Sequence, residues 1–208
     1  MSLNTYATLQ TAIAETLDRS DLTANIPDFI TLAEARHKRS ADMGGIRIKE
    51  MINRDAITVN ARQVSLPAGY LEAINFRLLT DPVTVLTYTN YHEMNRIRVE
   101  TTGKPQYFTI GNEIEFDKSP DSSYSGEIVF YKAEDALSDS NTSNNILVAD
   151  PAAYLYGALI ASAPFLTDDP RIALWKALYD EAARGLNGIT KGGRVIGPLR
   201  SRVSGSTP

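Results

Sequence analysis

The chain has 208 residues, 43% of them apolar and 22% charged, an ordinary globular composition that supports one large domain or two small ones. It contains no cysteine, which excludes disulfides, thiolate nucleophiles and cysteine-ligated zinc and fits a reducing cytosol. The net charge of −4 is uneven: residues 188–208 carry Lys191, Arg194, Arg200 and Arg202 with no acid, so residues 1–187 carry −8, an acidic body that argues against broad nucleic-acid binding.

The opening Met1-Ser2-Leu3-Asn4-Thr5-Tyr6 has neither the basic nor the apolar region of a signal peptide. Residues 5–17 read as an amphipathic helix with Tyr6, Leu9, Ile13 and Leu17 on one face and Asn4 or Thr5 as its N-cap. A polar break follows at Asp18-Arg19-Ser20-Asp21. The second helix starts near Asn25-Ile26-Pro27, where proline suits the first turn and Asp28 favours the dipole. Phe29, Ile30, Ala33 and His37 share one side, and the helix stops before Gly44-Gly45.

From Ile46 the period changes to that of strands. Ile57–Asn60, Gln63–Leu66, Leu71–Leu79 and Val83–Thr87 are strand segments, with a turn at Pro67-Ala68-Gly69. Tyr91–Val99 is a short helix capped by Thr89 or Asn90. Gln106–Ile110 and Glu113–Phe116 form a hairpin whose Gly111-Asn112 pair predicts a two-residue primed turn. Glu127–Tyr131 is the last strand. The middle is therefore an antiparallel β unit of five to seven strands.

A polar loop runs from Asp135 to Asn145. Asp150-Pro151 starts a helix to about Ala163, and Asp168-Asp169-Pro170 starts another to Asn187, which Gly188 ends. Leu174, Leu178 and Ala182 make its apolar stripe, broadened by Trp175 and Tyr179. The apolar run Ala152–Leu166 is too short to span a bilayer and is broken by Pro164, so it predicts a core helix of a soluble protein. The expected fold class is α+β: a helical bundle built from N-terminal and C-terminal helix pairs, an inserted antiparallel β domain and an extended C-terminal tail. The expected boundaries are 1–45 and 150–187 for the bundle, 46–134 for the β domain, 135–149 for a polar linker and 188–208 for the basic tail.

No catalytic constellation stands out. His37 and His92 lack metal-ligand spacing and read as surface or half-buried residues. No serine sits in a nucleophile elbow, and no glycine-rich stretch has the length that wraps phosphate. Asp168-Asp169 reads as a helix start rather than a cation site. The expectation is a protein that is not an enzyme and uses no cofactor or metal.

Two segments carry a resemblance. Ile26-Pro27, Phe29-Ile30, Ala33-Glu34 and Arg36 form one; Leu155–Arg171 with Trp175, Leu178 and Tyr179 forms the other. In that order they resemble the head-to-tail adaptor (connector) proteins of short-tailed bacteriophages. The resemblance implies a structural virion protein at the capsid–tail junction, made in the cytoplasm of a host bacterium. It implies a homo-oligomeric ring of about twelve subunits beneath the portal protein. Such a ring extends the channel for genomic DNA, without sequence-specific binding, and offers a docking platform to downstream nozzle or fibre-attachment proteins. It also implies a C-terminal segment that reaches the portal. Here that segment would anchor through Val195, Ile196, Leu199 and Val203 and be steered by Lys191, Arg194, Arg200 and Arg202. The alternative is a β-domain binding module of a phage tail for carbohydrate or receptor, with Tyr107 and Tyr124 on its binding patch.

Overall fold

Chain order alternates between helical ends and a strand-rich middle. The structure, a computed structural model, describes residues 3–167 and 169–194. Helices α1 (Tyr6–Leu17) and α2 (Ile26–His37) come first. Strands β1 (Ile52–Val59), β2 (Gln63–Ser65), β3 (Tyr70–Leu78), β4 (Thr84–Val85) and β5 (Thr87–Tyr88) follow. Then come α3 (Tyr91–Ile97), β6 (Tyr107–Ile110), β7 (Glu113–Phe116) and β8 (Tyr124–Lys132). Helices α4 (Asn145–Ala149), α5 (Pro151–Ala161) and α6 (Arg171–Arg194) complete the described chain. The fold is α+β, and it divides into two units: residues 1–49 with 136–208, and residues 50–135.

Local chemistry fixes the helix ends of the first unit. The Thr8 N–H donates to the Thr5 hydroxyl at 3.3 Å and the Thr5 N–H to the Thr8 hydroxyl at 3.1 Å, a reciprocal cap on α1. Asp18 ends α1 in the left-handed region, φ 53°. The polar break after it is a 3₁₀ turn, Ser20–Asn25, rather than a loop. Asp150 caps α5 by accepting from the Ala152 N–H at 3.0 Å, with Pro151 in the first turn. Residues 145–149, expected inside a polar linker, are the helix α4. Asn144 caps it by accepting from the Leu147 N–H at 3.1 Å, and Ile146 and Leu147 are buried.

The helices α2, α5 and α6 meet at a glycine. A Cβ on Gly157 would lie 3.0 Å from the Ala33 Cβ and 3.4 Å from the Tyr179 ring. Around this point Phe29, Ile30, Tyr154, Leu159 and Tyr179 are almost completely buried. The buried face of α6 is Trp175, Tyr179, Ala182, Ala183 and Leu186, which keeps Trp175, Tyr179 and Ala182 of the expected stripe, while Leu174 is 57% exposed and Leu178 only half-buried. Aromatic bulk at 175 and 179 sets the rotation of the helix, because those rings bury more area than a leucine.

The second unit packs two four-stranded sheets over one core. The first sheet has the order β1-β8-β3-β4 and is antiparallel throughout; the second has the order β2-β7-β6-β5. Phe76 and Phe130 from the first sheet meet Phe108 and Phe116 from the second, with Phe76 ring centroids 5.5 Å from Phe108 and 5.6 Å from Phe116. The expected antiparallel domain is thereby corrected in two respects. There are eight strands rather than five to seven, and β5 pairs with β6 in parallel. Parallel neighbours require a crossover, and the segment carrying α3 between β5 and β6 is that crossover.

The β6–β7 turn also departs from expectation. Ile110 pairs with Ile114, leaving three residues in the loop, and Gly111 does not have the positive φ of a primed turn. Its lack of a side chain serves packing instead: a Cβ there would overlap the Tyr91 hydroxyl.

Replacing Gly157 by leucine should drive a side chain into Ala33 and Tyr179 and cost about 1–3 kcal/mol or more. Urea unfolding followed at the Trp175 fluorescence would show a lowered midpoint; an unchanged midpoint would refute the close packing.

Candidate functional site

A 24-residue helix, α6, organises the candidate site. Its Tyr179 hydroxyl donates to the Gly44 carbonyl at 2.7 Å. Its Asn187 donates through Nδ2 to the Gly45 carbonyl at 2.9 Å and accepts at Oδ1 from the Arg47 N–H at 2.7 Å. These bonds clasp the segment after α2 onto α6. Gly44 takes a left-handed φ of 80°, and a Cβ on Gly45 would overlap the Arg39 carbonyl, so the segment needs both glycines. Between α6 and this segment lies a groove of about 530 Å³ lined by Arg36, Met43, Lys176, Tyr179, Arg184 and Asn187, among others.

Beneath the groove sits a polar cluster in an apolar core. His37 is 3% exposed, so the surface or half-buried position expected for it is corrected. It occupies the apolar face of α2 at four-residue spacing from Ala33, a signal the sequence carries. Its ring lies parallel to Tyr179, with centroids 6.1 Å apart, and edge-on to Tyr154 at 4.7 Å. Nε2 lies 3.4 Å from the Ala153 carbonyl, and Nδ1 has no hydrogen-bond partner. Burial first, and Arg36 beside it, pull the His37 pKa down to about 4, against the backbone hydrogen bond to Ala153 that raises it. Burial pushes Tyr179 up to about 12. Glu34 is also buried, and it accepts from the Leu137 N–H at 2.7 Å and the Tyr154 hydroxyl at 3.4 Å. Desolvation raises its carboxyl above the usual range.

The predicted tail residues divide at Arg194. The positions of Lys191 and Arg194 belong to α6, which runs through Gly188 rather than ending there. The expected extended segment from 188 is thus helical to 194. Extension of an existing helix needs no new nucleus, which offsets part of the roughly 1 kcal/mol propensity cost of a glycine. Val195, Ile196, Leu199, Arg200, Arg202 and Val203 lie outside the described residues.

Other sequence features find structural roles. Asp169 accepts from the Arg171 N–H at 2.9 Å and pairs with its guanidinium at 2.7 Å, as a helix start. Tyr107 lies in the second sheet and Tyr124 in the first, where its hydroxyl donates to Asp121 at 2.6 Å. Among the described residues no three His, Asp or Glu side chains gather to hold a metal, and no helix is long and apolar enough to cross a membrane. Sequence reasoning named Arg36 only within the adaptor-like segment and missed the groove cations Lys176 and Arg184. The Lys176, Asp180, Arg184 spacing, which sets all three on one helix face, was the available signal.

Comparison with known families completes the description. Residues 4–202 match the SU10 adaptor protein family, nearly the whole chain. The chain belongs to that family. SU10 adaptor proteins are phage head-to-tail adaptors, so this chain is a structural adaptor protein of a phage. The match extends over the β unit and beyond the two helical segments that carried the resemblance. None of the curated proteins compared with the chain matches it.

The buried imidazole predicts a pH dependence of the fold. An unfolded His37 takes a proton near its ordinary pKa of 6.5, whereas the folded one waits until about 4. Stability is therefore full above 6.5 and falls through that window, by about 3 kcal/mol from this group. Glu34 acts with the opposite sign, since its raised pKa favours the folded state as pH falls. His37→Leu should flatten the loss of thermal stability between pH 6.5 and 4; an unaltered pH profile would refute the assignment.

Proposed function

We propose that this SU10 adaptor protein assembles as a ring beneath the portal, extends the DNA channel and presents the platform on which further tail proteins dock. Membership of the family over residues 4–202 carries the reading. In this reading the terminal helix pairs act as one bundle and residues 46–134 as a module inserted into it. The C-terminal segment is the portal anchor. Lys191, Arg194, Arg200 and Arg202 steer it, and Val195, Ile196, Leu199 and Val203 supply apolar contacts once it is seated.

Charge layout supports a channel role. Residues 50–135 hold 13 acidic and 8 basic side chains, so the negative charge of the protein belongs to the β unit, and the rest of the chain is close to neutral. A predominantly acidic module repels phosphate, which lets DNA pass without adhering. A head-to-tail interface closes into a ring when its rotation permits.

Native mass spectrometry of the full chain, alone and mixed with the portal ring of its phage, tests the reading. About twelve copies should add to each portal ring. Deleting residues 195–208 should leave α6 folded, by circular dichroism, and reduce portal occupancy at least tenfold. Full occupancy by the truncated chain would remove the segment from the mechanism, and no association by the full chain at any salt concentration would overturn the adaptor ring itself.

A further inference from the structure

The β unit leaves a cleft open along one side. β1 is an edge of the first sheet and β2 an edge of the second, and neither has a further strand beside it among the described residues. β1 pairs with β8 residue for residue, from Ile52 opposite Tyr131 to Val59 opposite Tyr124. In such a ladder every second residue turns its N–H and C=O away from the paired strand. The outer side of β1 therefore presents unpaired backbone donors and acceptors along its 8 residues. Edges are normally blunted by bulges, prolines or a covering element, and β1 has no bulge and no proline. A regular edge of this kind is the surface to which an extended peptide adds as a further strand.

The side chains beside the edge select the peptide. Between β1 and β2 the cleft holds about 450 Å³. Ile57, Val64 and Leu66 line it and pack against the aromatic core. Asp55 shares the inward face of β1 with Ile57 and Val59, by the two-residue period of a strand, and is half-buried. Asn53 Nδ2 donates to one of its carboxylate oxygens at 2.9 Å. Among the described residues no cation meets that carboxylate, and Asp55 is the one charged side chain in the lining of the cleft. A carboxylate partly withdrawn from water attracts a cation more strongly than an exposed one, because solvent and salt screen it less. The cleft thus fits a strand that carries, on one face, apolar side chains over Ile57, Val64 and Leu66 and a lysine or arginine against Asp55. DNA does not fit, since the carboxylate repels phosphate and no cation in the lining offsets it. Nor does the β1 edge of a second copy, which would bring two Asp55 carboxylates onto one face of the new pair.

We propose that the β1 edge and the cleft beside it receive an extended, apolar and basic segment of a downstream tail protein, which joins the four-stranded first sheet as an added edge strand. This rests on the platform reading above, and it names the surface of the platform and the chemistry of the partner that docks there.

Hydrogen exchange of the full chain, free and on the portal ring with and without the downstream tail protein of its phage, tests the strand addition. The outward amides of residues 52–59 should exchange fast in the free chain, and docking should slow them by about tenfold or more. Asp55→Lys should lower tail-protein occupancy by about tenfold in native mass spectra, and Asp55→Asn by less, with the number of adaptor copies per portal unchanged. Thermal unfolding verifies that both variants fold. A synthetic peptide of alternating valine and arginine probes the edge without any assembly. It should slow the same amides of the free full chain, and its valine–glutamate counterpart at equal concentration should not. Equal protection by the two peptides overturns the role of Asp55. Docking of the tail protein with the β1 amides unchanged, or undiminished docking on Asp55→Lys, overturns the inference and leaves the platform reading standing. Protection in the free chain that vanishes when residues 195–208 are deleted assigns the edge to the chain's own basic segment and overturns it as well. Failure of the tail protein to dock on the unaltered assembly overturns the platform reading, and this use of the edge with it.

Discussion

The close approach of α2, α5 and α6 at Gly157 is the constraint from which the helical unit follows. With no side chain at 157, the Ala33 methyl and the Tyr179 ring both reach the α5 backbone. Tyr179 in that position lies parallel to His37, and its hydroxyl reaches the Gly44 carbonyl. The segment after α2 is then held against α6, Asn187 completes the clasp, and the groove opens between them. A bulkier residue at 157 would move α6 outward and take the clasp with it. The geometry of the groove is therefore a consequence of core packing, since a close-packed interior transmits a displacement rather than absorbing it.

Polar groups inside this core link segments far apart in sequence. Glu34 accepts a hydrogen bond from the Leu137 backbone and another from the Tyr154 hydroxyl, while Asn144 donates to that same hydroxyl at 2.6 Å. A buried carboxyl without these donors would be strongly unfavourable. Their directionality ties residues 136–144 to α2 and α5 in one register, which apolar contacts alone would not specify. His37 contributes in the other sense. Its unpartnered Nδ1 gives the core no additional hydrogen bond and makes it sensitive to protonation.

The β unit keeps its charge outside and its aromatic residues inside. Arg77 and Arg54 flank Glu127 at 2.9 and 3.9 Å, and Arg98 reaches Glu115 at 3.1 Å, so much of its surface charge is internally paired. Asp117 is the exception: nearly buried, it accepts from the Gln106 and Tyr107 N–H groups at 2.9 and 3.1 Å and fixes the entry into β6. In the helical unit the start of α6 is ion-paired, Arg171 to Asp169 at 2.7 Å, whereas Lys176 and Arg184 form no ion pair among the described residues.

What the sequence determined by itself were the features that depend on near neighbours in the chain. Thr5, Asp150 and Pro151 mark helix starts by local hydrogen bonding and fixed backbone angles, and the alternation through β1, β3 and β8 marks strands by the period of the pleat. The family was legible too, because its helical segments are contiguous. Tertiary structure alone decided the parallel β5–β6 pair, the rotation of α6 onto Trp175 and Tyr179, the burial of His37, and the meeting of Arg36 with Lys176 and Arg184. Each is set by contacts between residues far apart in the chain. A periodicity can show that a helix has an apolar face, but which residues on that face are covered depends on the shape of what packs against it.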